Sequence, residues 1–555
     1  MVRATFSGFN TALSALQANQ KRLDITGQNL SNMNTAGYTR QQLEASSLNY
    51  TNPVSHYSNG NETAVGFGVS MDRVSQIRDP YLDIQYRSQS ADCSYTNRLQ
   101  TALNSLSKVL DETTISGIRQ AFDDIQSTLT SMQDPAKVSD PIYESELRTK
   151  MQSVCNLFNQ ASRQITQAEQ NEFQRLTGEG SSEQGDVQKI NDILRQIGDL
   201  NVQIKRNQVA GHPSLELQDE RNLLLDELSG YIPVETRYYK DDAHSGNNAY
   251  DYDANGAVIG KKDWPDDLEV SMNYIDAQGK SQKLILVNGS DLGADGLTKN
   301  YGQLSMLKGD HQTAASVSDP ANISIKFEKA PSYQGNGQAA ADVYAELKGI
   351  HFEGGSLQAS LDMLQKKGTG NVINGSVDDV RGYQYYSGKL DQLASTFAKS
   401  MNDINNGQNH TDKNLLSNST DDSTTGITAG NIGISKGWTS GTIHISTDGT
   451  NRTDTILDMI AAMKDTKKLN GKTFADYMNN LSTQLASDSS SNQTALKTGT
   501  TVLNSIQDSR DSLSGVSLDE EATNMMAYVS AYNAASRLMT ALDEVLNTLI
   551  SNTGA

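Results

Sequence analysis

Residues 7–42 read "SGFNTALSALQANQKRLDITGQNLSNMNTAGYTRQQ", and the architecture of the whole chain hangs on them. Phe6, Phe9, Leu13, Leu16, Leu23 and Leu30 fall on three- and four-residue steps, with Gln20 and Gly27 filling the two remaining positions. That spacing predicts a helix carrying a heptad stripe. The stretch after it is rich in asparagine and ends in Gly-Tyr. A tight reversal there would use Asn29, Asn32 and Asn34 to hydrogen-bond the turn backbone, Gly37 to take a positive φ and Tyr38 to anchor the exit. A lone helix of ~25 polar-rich residues is marginal in water, because nucleation is costly and most stabilisation comes from packing. The turn therefore points to a helix that folds back against a neighbour.

The opposite end supplies a matching element. Met525, Val529, Tyr532, Met539, Leu542, Leu546 and Leu549 form a second narrow seam. The faces away from both seams carry Asn, Gln, Ser and Thr, and a narrow stripe suits coiled-coil pairing better than a broad core face does. A surface helix packed on an ordinary globular core is the plainer reading of either seam alone.

Between the ends, "DPYLDIQYRSQSADCSYTNRLQTALNSLSKVLDE" opens a long helix, with Asp79 as N-cap and Pro80 in the first turn. Further helical segments are expected at about 115–131, 140–177 and 186–229, the second started by Asp140, Pro141 and Glu144. The texture changes at Tyr231. "YIPVETRYY", "LEVSMNYI", "QKLILVNG" and "ISIKFEK" are short β-rich runs between Gly, Asn and Asp turns. Helical pattern returns in "GGSLQASLDMLQ" and "YSGKLDQLASTFAKSMNDIN"; a polar island follows, with "GTIHIS" as its clearest strand, and the chain is helical from "KTFADYMNNLSTQLAS" onward. The expected fold is multidomain α+β. Paired terminal coiled-coil helices (1–35 with 518–555) enclose, in sequence, a long-helix bundle domain (36–230 with 353–405 and 471–517). Inserted β-rich outer domains occupy 231–352 and 406–470. This nesting brings the two ends together and projects the inserts away from the helical stem.

Composition narrows the chemistry. A chain of 555 residues has room for several cored domains. Asp+Glu 66 against Lys+Arg 46 gives a formal charge of −20, with no basic run interleaved with aromatics, so nucleic acid is not an expected partner. No stretch approaches the ~20 apolar residues of a membrane span, and the opening residues lack the continuous apolar core of a cleavable signal peptide. Cys93 and Cys155 lack CxxC spacing; inert thiols are expected, with a single disulfide as the alternative. The seven histidines form no HxH or HExxH pair, and no metal or cofactor is expected. "DYDANG" imitates the first half of a calcium loop, but Lys262 stands at its twelfth position, and Asn255-Gly256 reads as a hairpin turn. "GISKG" at 433–437 matches a nucleophile elbow in form only, since its flanks read as polar loop. "GKS" at 279–281 and "GKT" at 471–473 carry Tyr274 and Thr466 where a phosphate loop needs its first glycine. Carboxylates are plentiful enough to leave glycosidase or peptidoglycan-lytic chemistry open by count, but no pair of them stands in a catalytic frame.

The amino-terminal stretch closely resembles the signature of the flagellar rod, hook and hook-associated axial proteins, a helix followed by an Asn-rich turn and "GY", with Ala36 where proline is usual. "GFGVSMDRVSQIRDPYLDIQYR" (66–87) continues the likeness through its Gly-Val, Arg-Asp and Gln-Tyr-Arg elements. "DSRDSLSGVSLDEEATNMMAYVSAYNAASRLMTALDEVLNTLI" (508–550) is similar to the carboxyl ends of the family's hook-filament junction members. The resemblance implies a structural, non-enzymatic subunit, exported unfolded through the flagellar type III apparatus without a cleavable signal and assembled outside the cell in a ring between hook and filament. Implied partners are other copies of the chain, the hook protein, a second junction protein on the filament side and an export chaperone. The resemblance makes both seams, with Asn32, Asn34, Gly37 and Tyr38 of the turn, assembly elements. Alternatives are a hook or rod subunit, and a glycan- or host-surface-binding module carried on the β inserts.

Overall fold

The structure, a computed structural model, describes residues 7–48, 68–110, 117–138, 140–240, 250–252, 258–261, 266–275, 279–289, 299–309, 313–328, 342–345, 351–368, 372–373, 376–377, 380–407, 411–447 and 449–553. It is mostly helical with small antiparallel sheets. Helix α1 (Ser7–Ser31) is followed by a ribbon of β1 (Gln41–Ser47) and β2 (Val69–Gln76), paired from Gln41↔Gln76 to Ser47↔Val69. The sequence reading did not separate this ribbon from the helical domain, because its polar strands lack the apolar alternation that marks a buried face.

Next come α2 (Pro80–Leu110), α3 (Ile118–Ser131), the single turn α4 (Pro135–Val138) and α5 (Pro141–Thr177). Their start signals act locally. The Asp79 carboxylate accepts from the Tyr81 N–H at 2.9 Å and that of Asp140 from Ile142 at 2.9 Å, satisfying donors that a helix N-terminus leaves open. The segment expected across 186–229 is two helices, α6 (Asp186–Val209) and α7 (Leu215–Tyr231). Gly211 at φ +86 and then Pro213, which has no N–H to give, break it.

The first insert begins with β3 (Glu235–Lys240) and the hairpin β4 (Tyr250–Tyr252) with β5 (Val258–Lys261). It continues through β6 (Asp266–Ile275), β7 (Ser281–Asn288), β8 (Gln303–Lys308), β9 (Ile323–Glu328), β10 (Asp342–Ala345) and β11 (His351–Phe352). Strand β6 pairs antiparallel with β3, β7 and β11, while β8, β9 and β10 make a separate sheet. Leu268, Val270 and Met272 alternate into the core as a half-buried strand requires. Asparagines attach the insert to the helices. Asn201 donates to the carbonyls of Leu268 and Gly289, Asn300 to those of Gly198 and Gly289, and Asn191 both donates to and accepts from Leu304.

Helix α8 (Ser356–Gln365), the pair β12 (Val372–Ile373) and β13 (Ser376–Val377), and α9 (Tyr383–Asn406) return the chain to the helical body. The second insert holds β14 (Leu416–Asn418), β15 (Ile432–Ile434), α10 (Lys436–Ser440) and α11 (Asp454–Lys464). The expectation of a β-rich island is corrected here. Its strands are three residues long and "GTIHIS" is not one of them. Asn405 on α9 donates to the His444 carbonyl and accepts from Ser446 N–H, so that segment bonds to a side chain instead of a ladder. "GISKG" also departs from its polar-loop reading: it joins β15 to α10, where Ser435 Oγ caps the helix and donates to the Asn414 carbonyl.

Helices α12 (Phe474–Ser514) and α13 (Leu518–Thr553) complete the chain. The core closes where distant segments meet. The Phe122 ring lies 5.2 Å from Phe397, 5.5 Å from Phe474 and 6.0 Å from Phe158, joining α3, α9, α12 and α5. Phe397 and Phe158 meet it edge to face and Phe474 lies tilted, and aromatic pairs of this kind contribute about 0.5 to 1.5 kcal/mol each beyond burial. Helices α2 and α12 run antiparallel, with Gln100 donating to Ser489, and Gly499 lying beside Cys93. Both cysteines are buried and free, which corrects the disulfide alternative; burial pushes the Cys155 thiol up to about 12.

Candidate assembly site

Helices α1 and α13 lie side by side and antiparallel. Gly8 rests against Leu542, where a Cβ would come within 3.3 Å, and the Arg22 guanidinium sits 5.6 Å over the Tyr528 ring. The side chains most deeply buried between these helices and the ribbon are small or polar: Ala12, Ala18, Asn19, Ile25, Thr26 and Asn29 on α1, with Glu521 and Ala535 on α13. The seam residues read from sequence are placed differently. Phe9, Leu16, Leu23 and Leu30 are half-buried, Leu13 is 46 % exposed, and Phe6 lies outside the described residues. On α13, Met525, Met539, Leu542 and Leu546 are half-buried, while Val529, Tyr532 and Leu549 are exposed. The face toward α1 runs through Tyr528 and Ala535 and leaves Val529 to one side. Small residues at closest approach let the backbones near one another, and the larger apolar groups sit at the flanks.

The turn after α1 is a closed hydrogen-bond net. The Tyr38 hydroxyl donates to Asn29 Oδ1 at 2.9 Å; the same oxygen accepts from Gln41 N–H, and Asn29 Nδ2 donates to the Gln41 carbonyl. Asn32 donates to the Gln28 carbonyl and accepts from Thr35 Oγ1, Gly37 takes φ +78, and Asn34 is exposed outside the net. Burial and the nearby carboxylates of Asp219, Glu216 and Glu521 push the Tyr38 phenol upward, which keeps it a donor.

Three segments cross between the terminal helices and the body: residues 38–40, residues 76–79 and the link 514–517. Arg40 N–H donates to the Ser514 carbonyl and Ile77 N–H to that of Arg40. The Arg40 side chain reaches Glu521 at 2.8 Å and Glu520 at 2.7 Å on α13. On the body side Asp219 accepts from Thr39 N–H, Arg78 grips Asp83 with two nitrogens, and Arg510 bridges Asp83 at 3.2 Å and Asp226 at 2.7 Å while lying 4.2 Å over Tyr86. Arg87 binds Asp226 from the other side at 2.8 Å. Burial pushes the Asp219 carboxyl up to about 6 against the opposing pull of Thr39, Arg78 and Gln76. Sequence reasoning did not single out this network. Its one visible trace was the Arg78-Asp79 and Gln85-Tyr86-Arg87 elements, which supply two of its arginines.

Beside the crossing, a cavity of about 430 Å³ opens between β2, α2, α7 and β3, its wall including Arg73, Arg78, Arg87 and Arg221. Among the described residues no group of three or more His, Cys, Asp or Glu could hold a metal, and no helix is long and apolar enough to cross a membrane. The glycine of "GKT" gives way to an N-cap, Thr473 accepting from Asp476 N–H, and "GKS" begins at the positive-φ turn of Gly279.

The family model "Flagellar hook-associated protein FlgK helical domain" matches residues 103–417, more than half of the chain. The chain belongs to the flagellar hook-associated protein FlgK family. Two shorter models flank that match, "Flagella basal body rod protein" over 9–39 and "Flagellar basal body rod FlgEFG protein C-terminal" over 509–552, and these fall on α1 with its turn and on α13. Flagellar hook-associated protein 1 of Bacillus subtilis is 29% identical over 566 residues, covering 99% of both chains. The protein of the same name from Salmonella typhimurium is 29% identical over 230 residues, 41% of this chain and 38% of its own. Among solved structures, the flagellar hook junction protein FlgK from Burkholderia pseudomallei aligns at 18% identity and a TM-score of 0.38, over 60% of this chain and 44% of that one.

Proposed function

We propose that the chain is a structural, non-enzymatic subunit that joins hook to filament in the bacterial flagellum, polymerising through its terminal helices after export. The carrying observation is the surface of the helix pair. Leu13, Val529, Leu538, Val545, Leu549 and Ile550 are each more than two-fifths exposed, and on α13 they lie on several sides of one helix. A soluble surface rarely leaves so much apolar area open unless a partner covers it. In the assembled ring that cover is the same helix pair of neighbouring copies, packed as coiled coils about the axis, with the hook protein below and a second junction protein above. A helix pair this thin gains most of its stability from those neighbours, which couples its folding to assembly and leaves α13 open to an export chaperone beforehand.

Immunogold electron microscopy of isolated flagella, with antibody against residues 231–352, tests the placement. A single narrow band between hook and filament is expected. Label along the whole hook would assign the chain to the hook instead, and label confined to the cell surface would overturn an axial role.

A further inference from the structure

Two of the exposed apolar side chains outside the terminal helices line the arginine-walled cavity. Ile84 on α2 is 54 % exposed and Tyr238 on β3 is 46 % exposed, and both line it together with Arg73, Arg78, Arg87 and Arg221. Of the side chains that line the cavity, four are arginines and one, Asp83, is a carboxylate. The recess therefore presents mainly guanidinium groups on a chain whose net charge is −20. Tyrosine, arginine and a branched apolar side chain around a recess is the composition that dominates protein interfaces.

A complementary knob stands at the same level of the fold. Leu518 is 52 % exposed at the start of α13 and Leu513 is 41 % exposed just before the link; Asp519 is exposed beside Leu518, while Glu520 and Glu521 of the same turn are held by Arg40. Recess and knob both flank the crossing of residues 38–40, 76–79 and 514–517, which Arg40 ties to Glu520 and Arg78 to Asp83. Two complementary patches at one height on one subunit form a head-to-tail contact that closes into a ring when the rotation between copies closes.

We infer that the acidic, apolar start of α13, with Leu518 and Asp519 at its tip, docks into the Ile84, Tyr238 and Arg73 recess of a neighbouring copy of this chain. The contact rests on the proposed ring assembly and adds a side-to-side joint between the start of a terminal helix and the helical body of the next copy.

Paired cysteines decide it. Flagella are isolated from cells whose only copy carries Ile84→Cys with Leu518→Cys, oxidised and run on a non-reducing denaturing gel. A ladder of dimers and higher multiples of this chain, absent from either single variant, is expected. A link within one chain, or no link, overturns the inference. Charge reversal gives an independent arm: Arg73→Glu is expected to reduce incorporation several-fold and Asp519→Arg in the same chain to restore most of it. Absence of that rescue, or cross-linking to the hook protein instead, also overturns it. Missing ladders with the immunogold band in place sink this contact alone, whereas a misplaced band sinks the junction role.

Discussion

Arg510 shows how much one side chain at the crossing has to hold. It is 13 % exposed and serves two largely buried carboxylates, Asp83 and Asp226, each of which keeps a second arginine. Removing one member of a buried pair leaves charge without its partner, so Arg510→Ala is expected to lower stability by roughly 2 to 4 kcal/mol in urea denaturation. Asp219 works in the opposite sense. It faces Arg78, Thr39 and Gln76, with Tyr38, Glu216 and Glu521 nearby, and burial raises its folded pKa to about 6, above the ~3.9 of an unfolded chain. Between those values the folded protein holds the proton and the unfolded chain does not. The stabilisation is therefore full below pH ~4 and lost as pH rises through about 6. Asp219→Asn should raise stability at pH 7.5 by about 1 to 3 kcal/mol and flatten the profile between pH 4 and 7. An unchanged slope would contradict this account. Tyr38 and Arg78 stood out in the sequence, but their pairing with Asp219 did not, because Asp219 and Thr39 are brought together across 180 positions.

At the scale of elements, the turn after α1 was legible in detail and the second insert was not. Gly37, Tyr38, Asn29 and Asn32 act within nine residues of one another, so their chemistry is local and composition exposes it. Gly37→Val is expected to cost about 1 to 2 kcal/mol, since φ +78 strains a branched residue, and to loosen residues 32–40 in hydrogen exchange. The second insert is instead held by α9. Asn402 accepts from the N–H groups of Leu415 and Leu416 and donates to the Leu416 carbonyl, all buried. Asn402→Ala strands those groups, at roughly 1 to 3 kcal/mol each where water cannot replace the partner. Faster proteolysis within 411–447 at unchanged helix content is the expected signature.

For the whole molecule, the open apolar flanks of α1 and α13 set the prediction. Leu16→Asp or Val529→Asp should abolish incorporation into flagella, while circular dichroism and thermal unfolding of the helical body stay as in the parent. Val529 is the sharper probe, because it is exposed in the single chain whereas Leu16 is half-buried. Normal incorporation of either variant would remove the terminal helices from the assembly surface.

The sequence by itself determined the helical ends, the turn between α1 and the ribbon, the change to strands at residue 231 and the flagellar axial kinship, all of which are written in local periodicity and short motifs. Tertiary structure alone decided which side of α13 meets α1, the split of α6 from α7, the asparagine attachment of both inserts and the arginine–carboxylate crossing. Periodicity names the apolar residues of a helix, but a close approach of two helices selects small ones, as at Gly8 against Leu542. Charges likewise find partners by burial and proximity, for which spacing along the chain carries no signal.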